Sequence, residues 1–308
     1  MLLLLIPALL LAQADKPWQE PCRQAREAIT AGHYDEAEKI LETYAAGAGA
    51  LAHRAAPLLR DVARGYEKEV RYAEAERVYR SVLALWEAAA PGQPVVAASL
   101  NDLAAVLRGR RRHAEAVPPA ERAAAILGAV AGQDSPAFGM ALDKLGETLA
   151  AAGRQAEAAA AYQRALGVLN ASLGPQNMMS AGVLGRYATV LSTLGQNEEA
   201  RRSRERAEEI RAAKSARAAS VTMPSLIEKV EPRYSEEARA AGLQGSIVVY
   251  AEIDTDGRAS RAYVMTPLGM GLDEAAIAAV KSWRFRPAYR DGTPATVAAT
   301  IEVNFRLM

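Results

Sequence analysis

The sequence predicts an α-helical repeat solenoid followed by a small α+β domain of β-β-α-β order. Two observations carry this. A polar turn followed by Glu-Ala and a helical run recurs five times, with Ala37, Ala75, Ala116, Ala158 and Ala200 spaced 38, 41, 42 and 42 residues apart. From about Met223 the hydrophobic period changes, and the chain closes on a strand that alternates apolar and polar side chains. Composition agrees: 308 residues leave room for two domains, and 50% hydrophobic with 24% charged residues argues against disorder. A net charge of +1 supplies no global field for nucleic acid. A single cysteine, Cys22, excludes an intramolecular disulfide and any multi-Cys metal site, and three histidines (His33, His53, His113) leave little for His-based chemistry. Composition therefore favours binding over catalysis.

Met1–Ala14 reads MLLLLIPALLLAQA. Its apolar run, Leu2–Ala12, would reach roughly 16 Å as a helix, about half of a hydrocarbon core. With Ala12-Gln13-Ala14 as a small-x-small site, residues 1–14 are expected to be a cleaved signal peptide, the alternative being a short membrane anchor. The array is expected over 18–211. Its alanines must be small because two helices of a hairpin cross there, and a longer side chain would add about 1–3 kcal/mol of strain. The clearest unit is 141–170: Leu145, Gly146 and Leu149 on the first helix, Gly153 as its left-handed cap, then Ala158, Tyr162 and Ala165 on the second.

These residues resemble the tetratricopeptide repeat (TPR), and the long spacing is similar to its kinesin-light-chain style. Val70 and Arg111 stand where that family usually has a turn glycine. The resemblance implies a right-handed solenoid with a concave peptide-binding face, onto which Asn101, Asp102, Arg108, Asp143, Lys144, Glu147 and Arg186 would project; the bland reading is that most are solvated. Arg108–Arg112, four Arg in five residues without interleaved aromatics, reads as a solvated helix end. The basic Arg201–Arg217 reads as a capping helix, and 212–224 as a linker without apolar period.

The domain expected over 225–308 starts with a β-rich run, Gly245–Asp254. Asp254-Thr255-Asp256-Gly257 then gives a hairpin turn, and a second strand follows over Arg258–Met265. The same four residues fail as a calcium loop, lacking its further acidic ligands. Leu272–Trp283 reads as an amphipathic helix with Asp273 in its first turn, and Leu268-Gly269-Met270-Gly271 before it as a plain loop rather than an anion site. In the last strand Val297, Ala299, Ile301, Val303, Phe305 and Leu307 are expected to face the helix, and Ala298, Thr300, Glu302, Asn304 and Arg306 the solvent.

Pro232-Arg233-Tyr234, Gly242, Gly245, Asp254…Gly257, Leu272-Asp273, Trp283-Arg284-Phe285 with Pro287-Ala288, and Val303-Asn304-Phe305 together resemble the C-terminal domain of the TonB energy transducer family. The resemblance implies binding of an extended segment of an outer-membrane transporter, or another envelope protein, by strand addition along Thr296–Leu307. Tyr234 falls in the family's Tyr-Pro motif, with Ser235 in place of Pro, and Glu231 stands where a contacting Gln is frequent. The implied partner-binding residues are Glu231, Tyr234, Thr296, Ala298, Thr300, Glu302, Asn304 and Arg306. Location in the periplasm or cell envelope is implied, with ExbB/ExbD-type inner-membrane partners only if the N-terminal segment stays as an anchor. The alternative is a periplasmic TPR scaffold without energy coupling. No catalytic residue, cofactor, metal or nucleic acid is expected.

Overall fold

The computed structural model describes residues 18–218, 222–290 and 292–306; the expected signal peptide or anchor, 1–14, lies outside them. Contacts divide the chain into one compact unit through Ala89 and a second from Ala90 onward.

The first unit holds α1 (Gln19–Thr30), α2 (Tyr34–Gly47), a 3₁₀ segment (Gly49–Ala55), α3 (Ala56–Lys68) and α4 (Tyr72–Ala89). The second continues with α5 (Pro94–Gly109), α6 (His113–Val130), α7 (Pro136–Ala151), α8 (Gln155–Leu173), α9 (Met178–Thr193) and α10 (Asn197–Ala218). Each Glu-Ala motif opens the second helix of a hairpin, and all five motif alanines are fully buried at 0% exposure. The hairpin turns share one backbone solution: His33, Arg71, Arg112, Arg154 and Gln196 each donate their N–H to a carbonyl five residues back. The residue before each has a left-handed backbone in all five, Val70 (φ 62°) and Arg111 (φ 59°) included. That is the Schellman arrangement, which satisfies carbonyls at a helix end.

In the second unit Phe138, Leu142, Leu149, Tyr162, Leu169, Tyr187 and Leu191 build one apolar core. Leu145, expected in that stripe, is only half-buried at its margin. Helix α10 runs through Ala218, seven residues into the expected linker. Arg, Ala and Lys are good helix formers, and a last helix needs an apolar face only where Ala207 and Ile210 pack on Ala181. Among the described residues no helix is long and apolar enough to cross a membrane.

Beyond it come β1 (Ser225–Glu228), α11 (Glu236–Ala241), β2 (Gly245–Ile253), β3 (Ala259–Val264) and α12 (Leu272–Ser282). They are followed by β4 (Arg284–Arg286), β5 (Ala288–Arg290), β6 (Thr293–Ala295) and β7 (Val297–Phe305). The expected β-β-α-β order is β2, β3, α12 and β7, and it forms an antiparallel sheet of order β3-β2-β7. Four short strands add the pairs β1–β4 and β5–β6. The β2–β3 turn is closed by Asp254, whose Oδ1 accepts the N–H of Asp256 (3.0 Å) and of Arg258 (2.8 Å). Its carboxylate thus serves its own backbone, an Asx-type turn.

Candidate functional site

Strand β7 pairs along its whole length with β2, from Gly245 opposite Phe305 to Ile253 opposite Val297. Its other side has no strand partner among the described residues, so it is the sheet's edge. An edge leaves N–H and C=O groups free to pair with another extended chain. Of the residues expected to meet a partner there, Ala298, Thr300, Glu302 and Asn304 lie on β7, exposed, with Thr296 just before it and Arg306 just after, both exposed too. Ser246 Oγ donates to Asn304 Oδ1 at 2.6 Å across the β2–β7 pair. Leu307 lies outside the described residues.

The inward alternation differs from the expectation at one end. Val303 and Phe305 are buried, but Val297, Ala299 and Ile301 are only half-buried. The reason is placement of α12, which packs on β3 and β2 rather than squarely over β7. Half of the edge strand therefore offers apolar side chains beside its open backbone, a feature the alternation pattern alone hides.

Tyr234 is placed differently from Glu231. Its hydroxyl donates to the Leu243 carbonyl, and its ring stands edge-on to Phe305, with centroids 5.6 Å apart. This geometry braces the end of β7 from within. Glu231 is exposed and accepts from Lys229 Nζ at 2.7 Å, next to Val230, whose carbonyl takes the Trp283 indole N–H at 2.7 Å. Ser235, standing where a proline was expected, caps α11: its Oγ accepts the Ala238 N–H at 3.1 Å. A proline there would lose that cap, worth about 1 kcal/mol.

In the array, the first-helix residues converge across three hairpins. Arg108 of α5 pairs with Glu147 of α7 at 3.1 Å. Arg186 of α9 grips Asp143 of α7 with two bonds, 2.9 and 2.5 Å. Asn101 and Asp102 are half-buried on α5, while Lys144 is exposed. Burial pushes the Asp143 carboxyl up, against the lowering effect of Arg186. It raises the Tyr162 hydroxyl beneath the cluster as well, with Asp143 adding to the shift. Arg108–Glu147 and Arg186–Asp143 therefore tie α5, α7 and α9 together, with Glu147 and Lys144 exposed. In the Arg-rich stretch Arg108 and Arg112 are half-buried, and Arg112 donates to Glu115 at 2.7 Å.

Residues 230–307 match the family described as Gram-negative bacterial TonB protein C-terminal, and residues 54–129 match a tetratricopeptide repeat family. Protein TonB of Vibrio cholerae is 32% identical over 89 residues, covering 28% of this chain and 36% of that protein. Protein TonB of Xanthomonas campestris is 30% identical over 77 residues, covering 25% and 34%. The chain thus spans about a third of the length of these curated relatives. Among solved structures, kinesin light chain TPR-like repeats from Podosopora anserina superpose with a TM-score of 0.54 at 21% identity, covering 66% of this chain and 100% of that one. BtubC (BKLC) from P. vanneervenii gives 0.53 at 17%, covering 71% and 87%. At these identities the likeness is one of fold. The chain is a TPR-like helical array followed by a TonB C-terminal-type sheet domain.

Proposed function

We propose that this is a TonB-like protein of the cell envelope that takes an extended segment of an outer-membrane transporter as an added strand along β7, while its array docks a second protein. The observation that carries the reading is the open side of β7, nine residues long and flanked by exposed Thr296 and Arg306. Main-chain bonds along that edge supply affinity, and alternate side chains supply selectivity. Thr300, Glu302 and Asn304 would read the outward side chains of the added strand. Val297, Ala299 and Ile301 would gain cover for their half-exposed inner faces. On the array, Asn101, Arg108, Asp143, Lys144, Glu147 and Arg186 form the docking surface, with Lys144 and Glu147 making first contact. ExbB/ExbD-type partners enter only through an N-terminal anchor.

The test is disulfide trapping of a Thr300→Cys variant with transporter plug peptides that carry one cysteine at successive positions. Added strands trap with a two-residue period, because alternate side chains share a face. Uniform or absent trapping across such peptides sinks the reading. Deleting 223–308 gives the cellular counterpart: unchanged transporter-dependent uptake would leave a passive scaffold.

A further inference from the structure

The three connectors that open α5, α7 and α9 place Gln93, Ser135 and Asn177 at equivalent positions, and two of them behave alike. Ser135 Oγ accepts the Phe138 N–H at 3.2 Å, and Asn177 Oδ1 accepts the Ser180 N–H at 2.8 Å, each capping its own helix. Gln93 has the same extended backbone (φ −80°, ψ 157°) but makes no such cap. Its Oε1 instead accepts the backbone N–H of Met270, 177 residues away, at 3.3 Å.

The loop that reaches it is built for the purpose. Gly269, Met270 and Gly271 are left-handed in succession, with φ 85°, 52° and 75°. Such a backbone is costly for Met270, the one non-glycine among the three, unless its surroundings hold it. They do. Both Asp273 carboxylate oxygens are used, accepting the N–H groups of Leu268 (2.9 Å) and Gly269 (3.0 Å). Ser235 Oγ donates to the Met270 carbonyl, and the Met270 residue is buried. A Cβ on Gly269 would come within 2.5 Å of Gln93 Oε1 and 2.7 Å of Pro94 Cδ, so the backbone lies directly on the start of α5. Strand β3 also approaches α7.

We propose that Gln93 and the loop Leu268–Gly271 form an intramolecular latch. It seats the sheet domain on the array with β3 toward α7, and leaves β7 as the edge open to a partner. The latch stands by itself; only the use of the open edge rests on the strand-addition reading above. Its effect is to set β3 near α7, with β7 as the edge at the far side of the sheet. The array and the bound segment are then held in one geometry rather than swinging on the connection after α10.

Limited trypsin digestion of the full chain tests this at Lys214 and Arg217, near the C-terminal end of α10. Cleavage of a transiently opened state follows its population. Gln93→Ala removes the acceptor from the array surface without touching the sheet domain and is expected to speed cleavage there about fivefold, the worth of one hydrogen bond. Gly269→Ala is expected to do at least as much, through collision with Gln93 and Pro94. Gly292→Ala serves as control, since Gly292 is equally left-handed (φ 80°) but its Cβ would meet nothing within 4 Å. Small-angle scattering should show a larger radius for the first two variants and not for the control. Equal cleavage rates and scattering for wild type, Gln93→Ala and Gly269→Ala would overturn the latch. No transporter peptide enters either measurement, so the result is independent of whether β7 binds one.

Discussion

The turns of the helical array and the β2–β3 turn of the sheet domain both need a left-handed residue, yet they need it for different reasons. At the array turns the position opens to solvent: a Cβ on Gly32, Gly153 or Gly195 would meet nothing within 4 Å. The constraint is conformational only, and Val70 and Arg111 satisfy it at the cost of backbone strain. At Gly257 (φ 73°) a Cβ would lie 1.9 Å from the Phe285 carbonyl oxygen, while the Gly257 carbonyl accepts the Phe285 N–H at 2.9 Å. There the constraint is tertiary, because backbone meets backbone. A repeat array can drift at its turns, whereas a small sheet domain closed by non-local pairing cannot.

The largest test of that contrast is Gly257→Ala. It should cost about 3 kcal/mol, combining strain and collision with a backbone that cannot swing aside. The same change at Gly153 should cost only about 1 kcal/mol. Urea unfolding, followed through the Trp283 indole signal for the sheet domain and Tyr162 for the array, separates the two; equal losses would break the comparison. Val70→Gly should act in the opposite direction. A β-branched residue in the left-handed region costs about 1–2 kcal/mol, partly offset by the chain entropy glycine brings, so a net gain of about 1 kcal/mol is expected in thermal denaturation. Arg111→Gly, relieving an unbranched residue, should gain about half as much.

The smallest effect concerns what braces the Val70 turn. Arg71 donates to Asp35 at 2.9 and 2.7 Å and lies over the Tyr66 ring at 4.3 Å. The Arg71 hydrogen bonds hold the Asp35 carboxyl down to about 2, from an ordinary 3.8. A carboxyl depressed on folding contributes stability above its unfolded pKa and loses it as pH falls through the folded one. Asp35 is exposed, so the contribution stays below about 1 kcal/mol. Melting temperatures between pH 5 and 2 should therefore fall slightly more for wild type than for Asp35→Asn. Parallel curves would remove the brace.

Much of the fold is legible in the chain because its determinants are local. The five buried alanines follow from a recurring Glu-Ala beside a turn, and the β2–β3 hairpin follows from Asp-Gly between β-rich runs. Strand β7 was readable from its alternation, and its exposed members Ala298, Thr300, Glu302 and Asn304 lie where the period places them. Less visible were the short strands β1, β4, β5 and β6, three or four residues each, too brief for a period to register. The capping helix read over Arg201–Arg217 is the C-terminal part of α10, which ends at Ala218 inside the segment also read as a linker.

The sequence by itself determined the repeat, its hairpins, the sheet order's ingredients and the candidate edge, because spacing and side-chain period act between residues close in the chain. Tertiary structure alone decided three other things. It set α12 over β3 and β2, leaving the apolar side of β7 half-covered. It brought Arg108 to Glu147 and Asp143 to Arg186 across separate helices. It also brought the Met270 N–H onto Gln93, 177 residues away at the start of α5. Each of these depends on which surfaces meet across dozens of residues, and no local pattern encodes that meeting.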